Sequence, residues 1–340
     1  MRKFALSSVI VLLSVSALFA GVGIKKYAGE FMAGGVGGRA LGMGGAYVAI
    51  SEDVTAAYWN PGGLALIRYP ELSAMHARRF GGVVNYDYMG VALPVRSRES
   101  LGFSLVRLAV DDIPVTAVPR PDLPLDATYV DEHGNVRANH TYVAWTTSDA
   151  EYAFYVSYAK LQKGKWAWGA NFKMVHKGVA GHSAWGLGFD IGALWNPWKS
   201  LRLGANFQDV TTTLLAWDTG AKELISPTLK LGMAYPWVMK SLRSRLLVAA
   251  DTDLRFEGRE IAAQTHFRGL SADFHAGIEW LFHNRLSLRA GSDIGHFSAG
   301  AGLRLPKLDV DYAFLKHDKL ENSHRVSLRL RLEEAKFARK

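Results

Sequence analysis

Four carboxylates spaced two apart, Asp251 with Asp253 and Asp309 with Asp311, are by residue type the groups best suited to general acid–base work, in which one gives a proton that another takes. Their surroundings point to a plainer role. Asp309 and Asp311 lie on a strand-like segment beside another that carries Arg325, Arg329 and Arg331, so charge pairs between adjacent strands account for them. No Gly-x-Ser-x-Gly turn accompanies them, which disfavours an esterase or phospholipase. The eleven histidines include His133 and His140, His176 and His182, and His266 and His275, but none has the i, i+4 spacing with which a helix offers two imidazoles to zinc. Gly35-Val36-Gly37-Gly38-Arg39-Ala40 fits G-x-G-x-x-A with Asp53 downstream, yet a dinucleotide fold needs a buried strand before such a run and a helix opening within it. Neither is present. With no cysteine in 340 residues there is no thiolate nucleophile, no Cys-ligated zinc and no disulfide framework. The chain reads as a non-enzyme without metal or cofactor.

The elements that would position any of these groups announce themselves by alternation. From Pro70 onward apolar and polar residues alternate with period two, as in a strand with one apolar face. Trp166, Trp168, Ala170, Phe172 and Met174 oppose Ala167, Gly169, Asn171 and Lys173, and Trp185, Leu187, Phe189 and Ile191 oppose Gly186, Gly188, Asp190 and Gly192. Near the end, Val326, Leu328 and Leu330 oppose Arg325, Ser327 and Arg329. Segments of about ten residues with one apolar face, separated by turns, are the pattern of a transmembrane β-barrel. A soluble sandwich would have to bury the other face, whose glycines and full charges a packed core cannot hold unpaired but a wide, wet lumen can. Trp166, Trp185, Trp195, Trp280 and Tyr312 fall near strand ends on the apolar face, where an interfacial girdle sits.

Short turns, such as those at Gln162-Lys163-Gly164, Asn196 to Lys199 and His283-Asn284, are expected in the periplasm and longer loops outside. That parity makes Asp111 to Asp149 one long external loop, with His140 to Thr147 a tall extension of the fourth strand, and totals about fourteen strands. The fold class is therefore all-β: a transmembrane antiparallel β-barrel over 70–332, an N-terminal plug over 21–69 in its lumen, and a tail over 333–340.

Met1-Arg2-Lys3 and the apolar run from Phe4 to Phe19, ending in small residues, read as a secretory signal peptide over 1–20. No later stretch approaches the roughly 18 apolar residues of a membrane helix. Export places the chain in a bacterial outer membrane, with outer-membrane lipid as its surroundings. The formal charge is +9, but it is scattered and forms no basic run, and export itself argues against nucleic acid as a partner.

The plug is legible from Tyr27 to Ala65. Gly34 to Gly45 is too rich in glycine for a stable helix or strand, since each Gly forfeits backbone entropy on ordering, so its container must hold it. Next comes a short helix, with Ser51 as cap and Glu52 and Asp53 at its positive end. Asn60-Pro61 closes that turn and opens another, with Asn60 as cap and Pro61 in the first helical position.

The run Gly37-Gly38-Arg39-Ala40-Leu41-Gly42-Met43-Gly44-Gly45-Ala46-Tyr47-Val48-Ala49, with Tyr58-Trp59-Asn60-Pro61-Gly62-Gly63-Leu64-Ala65 after it, resembles the N-terminal region of the FadL-like outer-membrane proteins, in particular their PorV/PorQ branch. In that family a hatch with an Asn-Pro-Ala element fills a fourteen-stranded barrel. Here the element is Asn60-Pro61-Gly62, which departs at its third position. The resemblance implies hatch roles for Gly37, Gly38, Arg39, Gly42, Gly44, Gly45, Asn60, Pro61 and Gly62, and it implies two alternative functions. One is passive passage of hydrophobic, fatty-acid-like small molecules, captured among Leu123, Leu125, Tyr129 and Val130 of the long loop and released when the hatch shifts at its glycines. The other is a PorV-like docking barrel that binds type IX secretion proteins or exported cargo.

Overall fold

The computed structural model describes residues 28–162, 166–198, 200–259, 263–317, 321–334 and 337–339. The expected signal peptide, the first seven residues of the expected plug (21–27), and Lys163, Gly164 and Lys199 of two expected turns lie outside them.

Fourteen antiparallel strands close on themselves. They are β1 (Glu71–Arg79), β2 (Val84–Arg96), β3 (Glu99–Ala117), β4 (Tyr142–Leu161), β5 (Trp166–Val179), β6 (His182–Trp195), β7 (Arg202–Gln208, resuming as Thr213–Trp217), β8 (Lys222–Ile225, resuming as Thr228–Met239), β9 (Ser244–Arg255), β10 (Leu270–Phe282), β11 (Leu286–Asp293), β12 (His296–Arg304), β13 (Leu308–Leu315) and β14 (Ser323–Arg331). Each pairs with its neighbour in the chain, and the ring shuts where β1 meets β14, with Leu72 opposite Leu330 and His76 opposite Val326. The interruption of β7 is a bulge at 209–212, where Asp209 and Thr212 take positive φ of 52° and 57°. Above it both strands continue pairing, Leu214 to Leu224 and Leu214 to Leu187.

The alternation in the sequence becomes an outside and an inside. Trp185, Leu187, Phe189, Ile191 and Trp195 of β6 are all about half exposed, while Gly186, Gly188, Asp190 and Gly192 between them are buried. The outward face is bounded at one end by residues in cross-strand register: His76, Asp87, Arg107, Tyr152, His176 and Trp185. At the other end Trp166 stands opposite Trp195. From Trp166 to His176 along β5, at about 3.3 Å per residue and a tilt of about 40°, is a height of about 25 Å, the thickness of an outer-membrane apolar band. Polar groups outside that band bond one another: Arg107 donates to Asp87 at 3.0 Å, and His76 lies 2.7 Å from the same carboxylate.

The end with short turns carries the 97–98, 240–243 and 305–307 connections. At the opposite end β3 and β4 run on together as a tall hairpin, Val115 opposite Trp145 and Thr116 opposite Val143, so the expected extension of the fourth strand is present. A smaller hairpin, Thr128–Val130 with Val136–Ala138, sits in the loop they carry.

Residues 28–67 lie inside the ring. They comprise a 3-10 turn (Glu30–Gly34), one α-turn (Gly38–Gly42), a second (Ala56–Trp59) and another 3-10 turn (Pro61–Leu66). Two local expectations change. A helical turn does form in the glycine run, because the wall supplies what the sequence lacks: the Gly38 N–H donates to Ser327 at 2.9 Å. No side chain caps the second turn, whose N-cap residue is Thr55; Asp53 accepts from the Thr55 N–H at 2.9 Å just ahead of it, while the buried Ser51 hydroxyl has no partner among the described residues. Glu52 turns away from the helix to pair with Arg202 of the wall at 3.0 Å. Asn60 caps the last turn as its sequence implies, accepting from Gly62 with Pro61 at the first position.

The lumen is accordingly packed by residues 28–67 where the sequence suggested a wide, wet one. Phe31, Met43, Tyr47, Ile50, Tyr58 and Trp59 of the inner segment pack with Tyr86, Tyr155, Val175 and Leu215 of the wall into one buried cluster. Inward glycines are the reason the backbone can come so close. A Cβ on Gly169 would lie 2.5 Å from Pro61, on Gly192 2.2 Å from Asn60, on Gly204 2.4 Å from Val48, and on Gly277 2.2 Å from Met43. Below the segment the tail folds back: the Arg339 N–H donates to the Arg68 carbonyl at 2.8 Å, and its guanidinium reaches Ala65 and Ser100.

Candidate functional site

The nine hatch residues named from the sequence all lie on this inner segment, and the structure ties them to the wall. Arg39 donates through Nε and an Nη to the Glu279 carboxylate on β10, both at 2.9 Å, and through its other Nη to the Tyr47 hydroxyl at 3.1 Å. The Tyr47 hydroxyl donates in turn to Asp53 at 2.7 Å, and Asp53 faces Arg329 of β14 at 3.1 Å. A charge chain thus crosses from wall through segment to wall. Burial works against the Asp53 charge, but Arg329 first, then Thr55, Arg39 and Tyr47, outweigh it and hold the carboxyl below its ordinary value.

The glycines serve close approach. Gly44, at φ 64°, lies where a Cβ would sit 2.5 Å from the Ser292 backbone, and Gly42 faces Gly300. Gly37 donates to the Met75 sulfur at 3.1 Å. Asn60, fully buried, donates to the carbonyls of Val48 and Ala193 at 3.0 Å each, and Pro61 and Gly62 nest against Gly169 and Gly192. Asp251, one of the candidate acid–base carboxylates, accepts from the Tyr47 and Val48 N–H groups at 2.6 and 2.7 Å. Asp253 pairs with Lys230 and Asp309 with Arg329, while Asp311 pairs with Arg289 at 2.7 Å rather than with the arginines of β14. All four are structural anchors.

The four loop residues are elsewhere. Tyr129 and Val130 stand on the small hairpin carried by β3 and β4, with Arg120 5.9 Å over the Tyr129 ring, and Leu125 and Val130 are exposed. Together with Leu123 they line none of the described cavities.

Among the described cavities, one of about 320 Å³ lies against the inner segment on the side of the tall β3–β4 hairpin. Its floor is Leu41, Tyr58 and Trp59, and its walls come from the external ends of the strands: Arg79, His275, Asp293, His296, Leu315 and Arg325. Tyr58 and Trp59 meet edge to face, centroids 5.0 Å apart, and the Trp59 indole N–H donates to Val36 at 2.9 Å, which fixes the ring. Burial pushes the Tyr58 hydroxyl well above its ordinary value, so it stays neutral. Inward phase along β1 and β14 foretells that Arg79 and Arg325 point to the lumen. What surrounds them there depends on turns at distant places in the chain.

No protein-family model and no curated protein matches the chain in sequence. Solved structures do match in fold. The Ralstonia pickettii toluene transporter TbuX superposes with a TM-score of 0.56 at 14% identity, covering 87% of this chain and 98% of that one. The CymD monoaromatic hydrocarbon channel gives 0.56 at 13%, over 88% and 98%, and a Pseudomonas aeruginosa FadL homologue 0.52 at 12%, over 86% and 97%. The fold is that of the FadL-type outer-membrane barrels. The likeness gives no support to the narrower PorV/PorQ assignment.

Proposed function

We propose that this chain is a passive passage for hydrophobic small molecules across the bacterial outer membrane, with residues 28–67 as the plug that molecules must get past. One observation carries the reading: the lumen of a closed barrel is packed by an internal segment whose external side holds a cavity floored by Leu41, Tyr58 and Trp59. Such a site takes an apolar body by contact and orients it with a few polar groups. The toluene and monoaromatic hydrocarbon channels of the same fold agree with it. The exposed apolar residues Leu125 and Val130 on the tall external hairpin would serve capture, and release would follow displacement of the segment at Gly34 to Gly45. The docking-barrel alternative has no observation of its own.

The test uses the absence of native cysteine. Glu52 and Arg202, an ion pair between segment and wall, are both changed to Cys and joined by a cleavable bis-thiosulfonate linker. In proteoliposomes the joined protein should take up toluene more slowly than the unjoined one, and reduction should restore the rate. Equal uptake in both states would remove the moving plug from the mechanism.

A further inference from the structure

We propose that the cavity above the inner segment binds a small aromatic carboxylate, its anionic group between Arg79 and Arg325 and its ring over Tyr58 and Trp59. This rests on the passage reading and narrows the class of molecule that passes.

The argument is a charge census of the cavity wall. Arg255 is neutralised by Glu30 at 2.8 Å, Arg259 by Asp273 at 2.5 Å, Lys230 by Asp253, and His275 lies 3.0 Å from Asp293. Arg79 and Arg325 are different: among the described residues no carboxylate lies within 4.0 Å of either. Arg325 is only 2% exposed. One of its Nη groups donates to the Gly34 carbonyl at 2.9 Å, and its Nε has no partner among the described residues. The Arg79 Nε is likewise without a partner among the described residues, its guanidinium 5.6 Å over the Tyr86 ring.

A buried guanidinium without a counter-charge is among the costlier features a fold can hold. Arg325 is such a group, and with the half-buried Arg79 facing the same cavity it is explained if the counter-charge arrives with the ligand. Arginine presents its donors in a planar fork that matches the two oxygens of a carboxylate. Three carboxylates, Glu30, Asp253 and Asp293, also line the space, which favours a monoanion over a phosphate dianion. The volume, about 320 Å³, stands at the lower end of the roughly 300–1,000 Å³ of ligand sites, which suits a single ring. The two aromatic side chains of the floor, Tyr58 and Trp59, suit a ring over an alkyl chain. A neutral hydrocarbon would leave both arginines uncompensated.

The experiment is calorimetry on the full-length barrel in detergent with benzoate, benzamide, hexanoate and phenyl phosphate, alongside toluene uptake in proteoliposomes. Benzoate should bind saturably, and benzamide, its neutral isostere, at least tenfold more weakly. Hexanoate and phenyl phosphate should also be weaker. Arg325→Gln and Arg79→Gln should each reduce benzoate affinity tenfold or more and leave benzamide unchanged; Arg79, at the strand end and only partly buried, supplies the variant that folds if Arg325→Gln does not. Benzamide binding as tightly as benzoate, or benzoate binding indifferent to Arg79→Gln, overturns the proposal. Tighter phenyl phosphate makes this a phosphate site instead, and equal hexanoate overturns the aromatic part. Toluene uptake without a benzoate preference sinks this inference alone, whereas benzoate binding without any uptake sinks the passage reading alone.

Discussion

Replacing Asn60 by Ala removes three hydrogen bonds from a fully buried residue: the cap on Gly62 at 3.2 Å and the donors to Val48 and Ala193 at 3.0 Å each. A lost cap costs about 1 kcal/mol, and each carbonyl left without its donor about 1 kcal/mol or more. The sum, about 3 kcal/mol, falls on the inner segment and not on the strand ladders, which do not use this side chain. At 1.4 kcal/mol per decade that is roughly a hundredfold loss of protection. Hydrogen exchange on the purified barrel at pH 7 should show it in the amides of residues 53–67, with β10 to β13 unchanged. Asn60→Asp separates capping from bridging. It keeps the oxygen that accepts from Gly62 but turns a carboxylate toward two carbonyl oxygens, so it should lose at least as much protection as Asn60→Ala. At an exposed cap Asp and Asn are equivalent. Retained protection in Asn60→Asp, or a loss spread evenly over the barrel, would refute the bridge from Val48 to Ala193 as the anchor.

Other expectations follow from the same contacts. Because Asp53 is held below its ordinary value of 3.8, the stability it lends is complete above that pH and is lost as pH falls through the folded value. Protection of the inner segment should therefore drop below about pH 4, and Asp53→Asn should weaken that dependence while lowering protection at pH 7. On the lipid side, Phe189→Arg near the middle of the apolar band should destabilise the barrel by about 2–4 kcal/mol in urea unfolding from vesicles. On the lumen side, Gly192→Val should displace the segment, since the first added carbon would lie 2.2 Å from Asn60; planar-bilayer recordings should then show conductance that the wild type lacks.

The strand ladder was legible because each strand carries its own instruction. Period two separates Trp185, Leu187, Phe189 and Ile191 from Gly186, Gly188, Asp190 and Gly192 with no reference to the rest of the chain, and all eight point as that pattern says. Parity of short and long connections did the same for the tall hairpin of β3 and β4. The site was less legible. Asp251, Asp253, Asp309 and Asp311 stand out by type, yet their partners sit on other strands or on the segment: Asp251 on Tyr47 and Val48, Asp311 on Arg289. Inward glycines looked like the lining of a wet pore when read strand by strand. Their purpose shows only once Pro61, Val48 and Met43 are seen against them.

By itself the sequence determined the class of fold, the face of each strand that points out of the barrel, and the cap at Asn60, because all three depend on residues within a few positions of one another. Only the tertiary structure decided that the lumen is packed, that Ser51 does not cap the second turn, and that two of the arginines around the cavity above the segment have no carboxylate within 4.0 Å among the described residues. The last depends on Arg79, Arg325 and Gly34, far apart along the chain, meeting at one place. Pairing of charges in a closed barrel is set by which strands face each other across it, and no local pattern records that.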